Sequence, residues 1–161
     1  MPAFDYKQAA DIRNALKRHG VRHLFIGKSG AVLLGFPDTT QDADLFVDKD
    51  QANGRALVVA LAELGFRLTP DQAGEIERGK DFIQLKNGPF DLDLVFAPDG
   101  IERFADAWER RVEIEGFLVC HPDDIILSKE AANREKDRES LPRLRAFRDY
   151  WKQHQGKDNP H

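Results

Sequence analysis

Two short runs in this sequence place carboxylates where a solvated surface does not need them. In Phe90 to Phe96, FDLDLVF, Asp91 and Asp93 alternate with Leu92 and Leu94, so both project from one face of a strand. Asp42 and Asp44 in QDADLFVD repeat the pattern. Asp is depleted in strands, and clustered like charges repel unless something compensates. A divalent cation is the usual compensation, because hard ions such as Mg²⁺ take carboxylate oxygen and substrate phosphate together. Asp42, Asp44 and Asp93 on neighbouring strands would form such a scaffold, and ions on shared carboxylates can activate an attacking oxygen and stabilise a leaving one. Asp91 reads as solvated or as a support to the other three. A solvated sheet face is the plain alternative for the whole set.

A phosphate-bearing substrate also needs a cradle. Gly27-Lys28-Ser29-Gly30 lies between two apolar runs, where backbone N–H groups can meet an anion and glycine permits close approach. The P-loop pattern is absent, and a plain turn accounts for the segment as well. Lys129 and Asp137 lie eight residues apart, a spacing open to a structural ion pair between two helices or to a role in chemistry.

These residues need elements to hold them. Residues 5–19 read as an amphipathic helix, with Ala9, Ile12, Ala15 and Leu16 on one face and Gly20 as its stop. Residues 21–26 read as a strand, 31–34 as one or two helical turns ended by Gly35 and Pro37, and 43–47 as a strand. A second long helix spans 50–64, with Gly65 as its cap, and Phe66 to Leu68 begins another strand. Residues 69–80 are polar, with two glycines and no apolar period, and read as a loop. Strands at 82–85 and 90–96 flank Asn87-Gly88, a hairpin signal that Pro89 lengthens. A short helix over 101–108 and two short strands within 112–120 around Gly116 follow. Pro122 opens a helix over 123–133, and a final helix over 141–153 comes after a connection at 134–140. The pattern predicts the α+β class: one domain over 1–155, with a core at about 20–120, a helical part at 121–155 and a flexible tail at 156–161.

Composition narrows the function. The 28 Asp+Glu against 24 Lys+Arg leave a net charge of −4, which argues against binding nucleic acid by bulk charge but not against a local basic patch. Arg134, Lys136, Arg138, Arg143, Arg145 and Arg148 supply local basic character, either a solvated helix face or a phosphate-tracking surface. The one cysteine, Cys120, excludes a disulfide framework and reads as a small buried apolar residue. His23 inside a strand reads as packing, and Phe104, Trp108, Phe147, Tyr150 and Trp151 as core. The first residues lack the basic-then-apolar order of a signal peptide, and no run approaches the roughly 20 apolar residues of a membrane helix. A cytoplasmic location with no membrane partner is therefore expected.

Taken in order, Gly27 through Asp48 resembles the first motif of minimal nucleotidyltransferases in the DNA polymerase β superfamily. That motif is a glycine turn, a short helix, a later glycine (Gly35), a Thr-containing loop (Thr39 or Thr40) and Asp-hydrophobic-Asp on a strand (Asp42-Ala43-Asp44). Asp93-Leu94-Val95 matches the third carboxylate on a later strand, and Ala97-Pro98-Asp99-Gly100 resembles the turn after it. Asp124 to Lys129, followed by Asn133-Arg134-Glu135-Lys136-Asp137, resembles the Lys and Arg-x-Lys-Asp motifs of the subset related to abortive-infection toxins of type IV toxin–antitoxin pairs. The resemblance covers roughly residues 20–145.

It implies a nucleotidyltransferase fold, a small mixed sheet flanked by helices with further helices at the C-terminal end. It also implies transfer of a nucleoside monophosphate from an NTP to an acceptor hydroxyl or phosphate, with RNA as one acceptor and an antitoxin protein as one partner. By the same resemblance Asp42, Asp44 and Asp93 hold Mg²⁺ or Mn²⁺, and Asp93 helps activate the acceptor. Gly27 and Ser29 contact the triphosphate, with Lys28 and Thr40 beside them. Lys129 neutralises phosphate from the helical side, and Asp137 orients it or acts in the reaction. A non-catalytic member binding a nucleotide or a protein, a small-molecule (antibiotic) nucleotidyltransferase and a purely structural domain are the alternatives.

Overall fold

The computed structural model describes residues 5–86 and 88–158, with side chains through 155. Among the described residues six strands form one mixed open sheet with seven helices around it, an α+β arrangement. The helices are α1 (Tyr6–Arg18), α2 (Gly27–Leu33), α3 (Gln51–Leu64), α4 (Pro70–Arg78), α5 (Phe104–Glu109), α6 (Pro122–Ala132) and α7 (Glu135–Asp158). The strands are β1 (His23–Phe25), β2 (Asp42–Val47), β3 (Phe82–Leu85), β4 (Asp91–Val95), β5 (Val112–Ile114) and β6 (Phe117–Val119), in the order β3-β4-β2-β1-β6-β5. β2 runs parallel to β4 and β1 parallel to β6, while the other neighbours are antiparallel.

Alternation along the central strands separates two faces. Ala43, Leu45, Leu92 and Leu94 are wholly buried, and their neighbours Asp42, Asp44, Asp91 and Asp93 occupy the other face. α6 packs against α2 and α7 against α6, and Leu141 and Leu144 of α7 join the same apolar cluster as the strands, so the C-terminal helices share the core rather than being appended to it. Among the described residues no helix is long and apolar enough to cross a membrane.

Local chemistry explains where elements begin and end. Asp5 caps α1 by accepting from the Gln8 backbone N–H, and the Gln8 side chain accepts from the Asp5 N–H in return. Gly65 closes α3 with φ +104, a conformation open to glycine at no steric cost. The Phe66 N–H then reaches back to the Leu61 carbonyl, so Phe66 finishes the helix instead of opening the expected strand over 66–68.

Residues 69–80, expected to be a loop, contain α4. Thr69 and Gln72 form a reciprocal capping box, Pro70 stands in the first turn, and Gly79 closes the helix at φ +71. Ile76 is its one buried side chain, which is why no apolar period announced it. The helix lies close to α3 because Gly54 leaves room: a Cβ there would stand 2.8 Å from both Glu77 Cα and the Ile76 carbonyl oxygen. Gly54→Ala is expected to destabilise the protein by about 2 kcal/mol by forcing these backbones apart. Urea unfolding measures it, and an unchanged midpoint would mean that the helices separate without penalty.

Two other boundaries differ. α2 begins at Gly27, so Gly27 to Gly30 is the first turn of a helix and not a separate loop before it. α7 begins at Glu135 and passes through Pro142, absorbing most of the connection expected at 134–140. Its start is stabilised by Asp137, whose Oδ2 accepts from the Arg134 backbone N–H. Residues 156–158 of the expected tail belong to α7, whereas 159–161 and Asn87 of the expected hairpin turn lie outside the described residues. β3 and β4 pair antiparallel on either side of that turn.

Candidate active site

The pairing of β2 with β4 does the first part of the assembly. Their register sets Asp42 opposite Asp91 and Asp44 opposite Asp93, which brings four carboxylates to one patch of one sheet face. The antiparallel pairing of β3 with β4 extends the patch outward, placing Gln84 beside Asp93 and Phe82 beside Val95. Asp42, Asp44, Asp93, Gln84 and Phe82 of this strip form the floor of a cleft of about 720 Å³, whose wall carries Lys28, Thr40, Asp99, Ser128, Lys129, Arg134 and Lys136.

Asp44 is the most constrained of the carboxylates. Its backbone N–H donates to Ser29 Oγ at 2.9 Å, and its carbonyl accepts from the Ile26 N–H at 3.0 Å. Ser29 is wholly buried, and its hydroxyl donates to the Ile26 carbonyl at 3.0 Å. The hydroxyl expected at the triphosphate is thus engaged in locking α2 to β2. Gly27 stands directly against the Asp44 side chain, with φ +65, and a Cβ would lie 2.7 Å from Asp44 Oδ2. Glycine at this corner therefore permits the close approach of the carboxylate to the start of α2.

Electrostatics show how closely the acids converge. Burial, then the field and hydrogen bond of Asp93, push the Asp44 carboxyl well above its ordinary range. Asp93 is 9% exposed, and burial also raises it, against an opposing hydrogen bond from Asp44 and with a further push from Asp42. These directions are those of two acids sharing one proton, with Asp44 the donor. Asp91 sits one step further along, with Oδ1 buried and, among the described residues, lacking a hydrogen-bond partner.

The opposite wall is cationic. Lys129 Nζ lies 3.5 Å from Asp137 Oδ1, and Arg134 Nε 2.7 Å from Asp137 Oδ2. Burial lowers Lys129, opposed first by Asp137 and then by Asp44, whose field reaches it across the cleft. Asp137 is wholly buried. Burial pushes its carboxyl up, but the Arg134 hydrogen bonds and Lys129 outweigh this and hold it below the usual carboxylate range. The spacing of Lys129 and Asp137 thus produces an ion pair, and the pair holds a lysine and an arginine over the acids. Lys28 is paired with Asp38 at 3.1 Å, and Asp38 also meets Arg143 at 3.2 Å. Thr40 Oγ1 donates to the Asp42 carbonyl at 3.1 Å.

No family model and no curated protein matches this chain.

Among the described residues no three His, Cys, Asp or Glu side chains are set as a ready metal shell. The donors nevertheless suit a hard cation. They are carboxylate oxygens, two of them repel strongly enough to retain a proton, and Asp91 has an orphaned buried oxygen beside them. The basic stretch of α7 is mostly neutralised: Arg143 pairs with Asp38, Arg145 with Glu130 and Arg148 with Asp123 and Asp149. Of the basic residues from 134 to 148, Arg134, just before α7, and Lys136 in its first turn line the cleft. Cys120 is buried as expected, and burial pushes its thiol up, away from reactivity.

Phe82 and Gln84, for which the sequence raises no functional expectation, also line the cleft. Their signal lay in the alternation of FIQL, where Ile83 and Leu85 are buried and Phe82 takes a polar-phase position.

Proposed function

We propose that this protein is a metal-dependent nucleotidyltransferase that moves a nucleoside monophosphate from an NTP to an acceptor hydroxyl. The observation that carries this reading is the β2–β4 register, which gathers Asp42, Asp44 and Asp93 on the cleft floor, beside Gly27 and below Lys129 and Arg134. The six-stranded mixed sheet with its packed C-terminal helices is compatible with the nucleotidyltransferase fold that the motifs resemble.

Asp42, Asp44 and Asp93 would hold Mg²⁺ or Mn²⁺. Such an ion would supply charge neutralisation at the phosphates and make an oxygen bound to it more acidic. Lys129 and Arg134, held in place by Asp137, balance the charge of the triphosphate from the helical wall. Lys28 joins them by exchanging Asp38 for phosphate oxygen. The acceptor oxygen attacks the α-phosphorus and forms the new P–O bond while the α–β bridging bond breaks and pyrophosphate leaves. The hydroxyl proton passes to a carboxylate oxygen of Asp93. Catalysis on this scheme is positioning and charge compensation.

Transfer of label from α-phosphate-labelled NTPs, with Mg²⁺, to RNA, protein and small acceptors is the direct test. Label should appear on an acceptor with Mg²⁺ and be lost with chelator. No transfer across the screen, together with no binding of Mg-NTP, would sink the proposal. The ion pairs of Asp38 with Lys28 and Arg143 favour a second reading, a protein that binds nucleotide without turning it over. Mg-NTP binding with no transfer would select it.

A further inference from the structure

Phe82 presents a problem of surface chemistry. It is 46% exposed, one of five large apolar side chains so exposed among the described residues, and it lies in the cleft. Packing does not require it there, since Ile83 and Leu85 already anchor β3 from the other face. Its neighbour on the same face, Gln84, is also exposed and carries an amide able both to donate and to accept hydrogen bonds. The cleft therefore changes character along its length. Lys28 and Gly27 stand at the β1 end, the carboxylates occupy the middle on β2 and β4, and an aromatic ring and an amide lie at the β3 edge.

Charge at that edge is mixed: Asp81 lines the cleft beside Phe82, and two lysines stand near it. Lys136 lines the cleft and has no ion-pair or hydrogen-bond partner among the described residues, though its field reaches Asp93. Lys86, just beyond Gln84, is likewise unpaired and likewise felt by Asp93. A flat apolar ring, a hydrogen-bonding amide and two free ammonium groups make a complement to one chemical class: a nucleobase with its backbone phosphate.

We infer that the Phe82–Gln84 strip and Lys136 form the acceptor subsite, and that the acceptor is a single-stranded nucleic acid. Its terminal base stacks on Phe82, Gln84 meets the base edge, and Lys136 meets the adjoining phosphate. The acceptor hydroxyl then falls toward Asp93, which separates this strip from the donor end. The assignment rests on the nucleotidyltransferase reading, but its test does not require turnover.

The experiment measures anisotropy of a short labelled oligonucleotide with the full chain, without NTP, against an abasic backbone of the same length. The oligonucleotide should bind more tightly than the abasic chain. Phe82→Ala should weaken it roughly 5- to 150-fold, the range of one base–aromatic stack, while leaving the abasic chain unaffected. Phe82→Leu keeps apolar area without a π-face and should behave like Ala, whereas Phe82→Trp should retain affinity. Lys136→Met should weaken both ligands and lower the salt dependence by about one phosphate contact. Equal affinity of wild type and Phe82→Ala for the oligonucleotide overturns the inference, even if transfer to a small acceptor establishes the enzyme. Concentration-dependent self-association lost in Phe82→Ala, without an effect on oligonucleotide binding, overturns it too, by making β3 an edge for a second copy. Base-dependent binding with no transfer would leave the subsite standing and remove the enzyme.

Discussion

Asp44→Asn is expected to abolish nucleotidyl transfer, by on the order of 10³-fold or more, and at the same time to stabilise the metal-free protein. The two effects have one cause. Asp44 sits against Asp93, within the field of Asp42, at a depth where burial alone disfavours its charge. An amide keeps the shape and removes the repulsion, so stability should rise by about 1–2 kcal/mol. The local fold should survive, because the bonds that fix this residue run through its backbone, to Ser29 Oγ and the Ile26 N–H. Mg²⁺ supplies the second readout. It should raise the melting temperature of the wild type, which loses its repulsion on binding, and leave that of Asp44→Asn nearly unchanged. A variant that is inactive because it melts earlier, or one whose Tm still climbs with Mg²⁺, would show that Asp44 is a structural acid.

That coupling of instability to chemistry is what made the site readable before the fold was known. Strand alternation told which side of β4 carries Asp91 and Asp93, and no core needs acids there. What the sequence left open was partnership. Register between β2 and β4 depends on a crossover from residue 47 to 91, through two helices and a third strand, and no local signal sets it. The roles of Ser29 and Asp137 changed for the same reason. Each was visible as a polar residue near a motif, but only packing shows that Ser29 bonds inward to β2 and that Asp137 is buried between Lys129 and Arg134. Asp38, an ordinary loop acid in the sequence, joins Lys28 to Arg143 across more than a hundred residues of chain.

Helix α4 shows the opposite limit. Thr69, Pro70, Gln72 and Gly79 spelled out both of its ends, yet its single buried residue gave no periodicity. Where capping chemistry and apolar period disagree, a short helix lying on another helix can follow the caps. In β3 it is alternation, not residue type, that places the aromatic Phe82 in the solvent phase.

His23 should make the protein lose stability in mild acid. Its ring is 3% exposed within β1, Nδ1–H donates to the Val21 carbonyl at 2.9 Å, and Nε2 has no hydrogen-bond partner among the described residues. That is the tautomer of a neutral imidazole, and burial depresses its pKa from 6.5 to about 4. Below pH 6.5 the unfolded chain takes up a proton that the folded His23 refuses until about pH 4. Stability is therefore fully present above the unfolded value and falls as pH drops through that window, by about 3 kcal/mol in all. Half-buried His121, whose pKa burial also lowers, adds in the same direction. The raised carboxyls of Asp44 and Asp93 act oppositely, since the folded state holds their protons to higher pH than the unfolded chain does. The informative quantity is thus the difference between wild type and His23→Phe, measured by urea unfolding across this range. The variant leaves the Val21 carbonyl without its partner, an offset of about 1 kcal/mol that is the same at every pH. Its stability relative to wild type should improve steadily as pH falls from about 6.5 to about 4, at up to about 1.4 kcal/mol per pH unit. A constant difference across that window would mean that His23 is already charged in the folded protein, with a counter-charge reaching the buried Nε2.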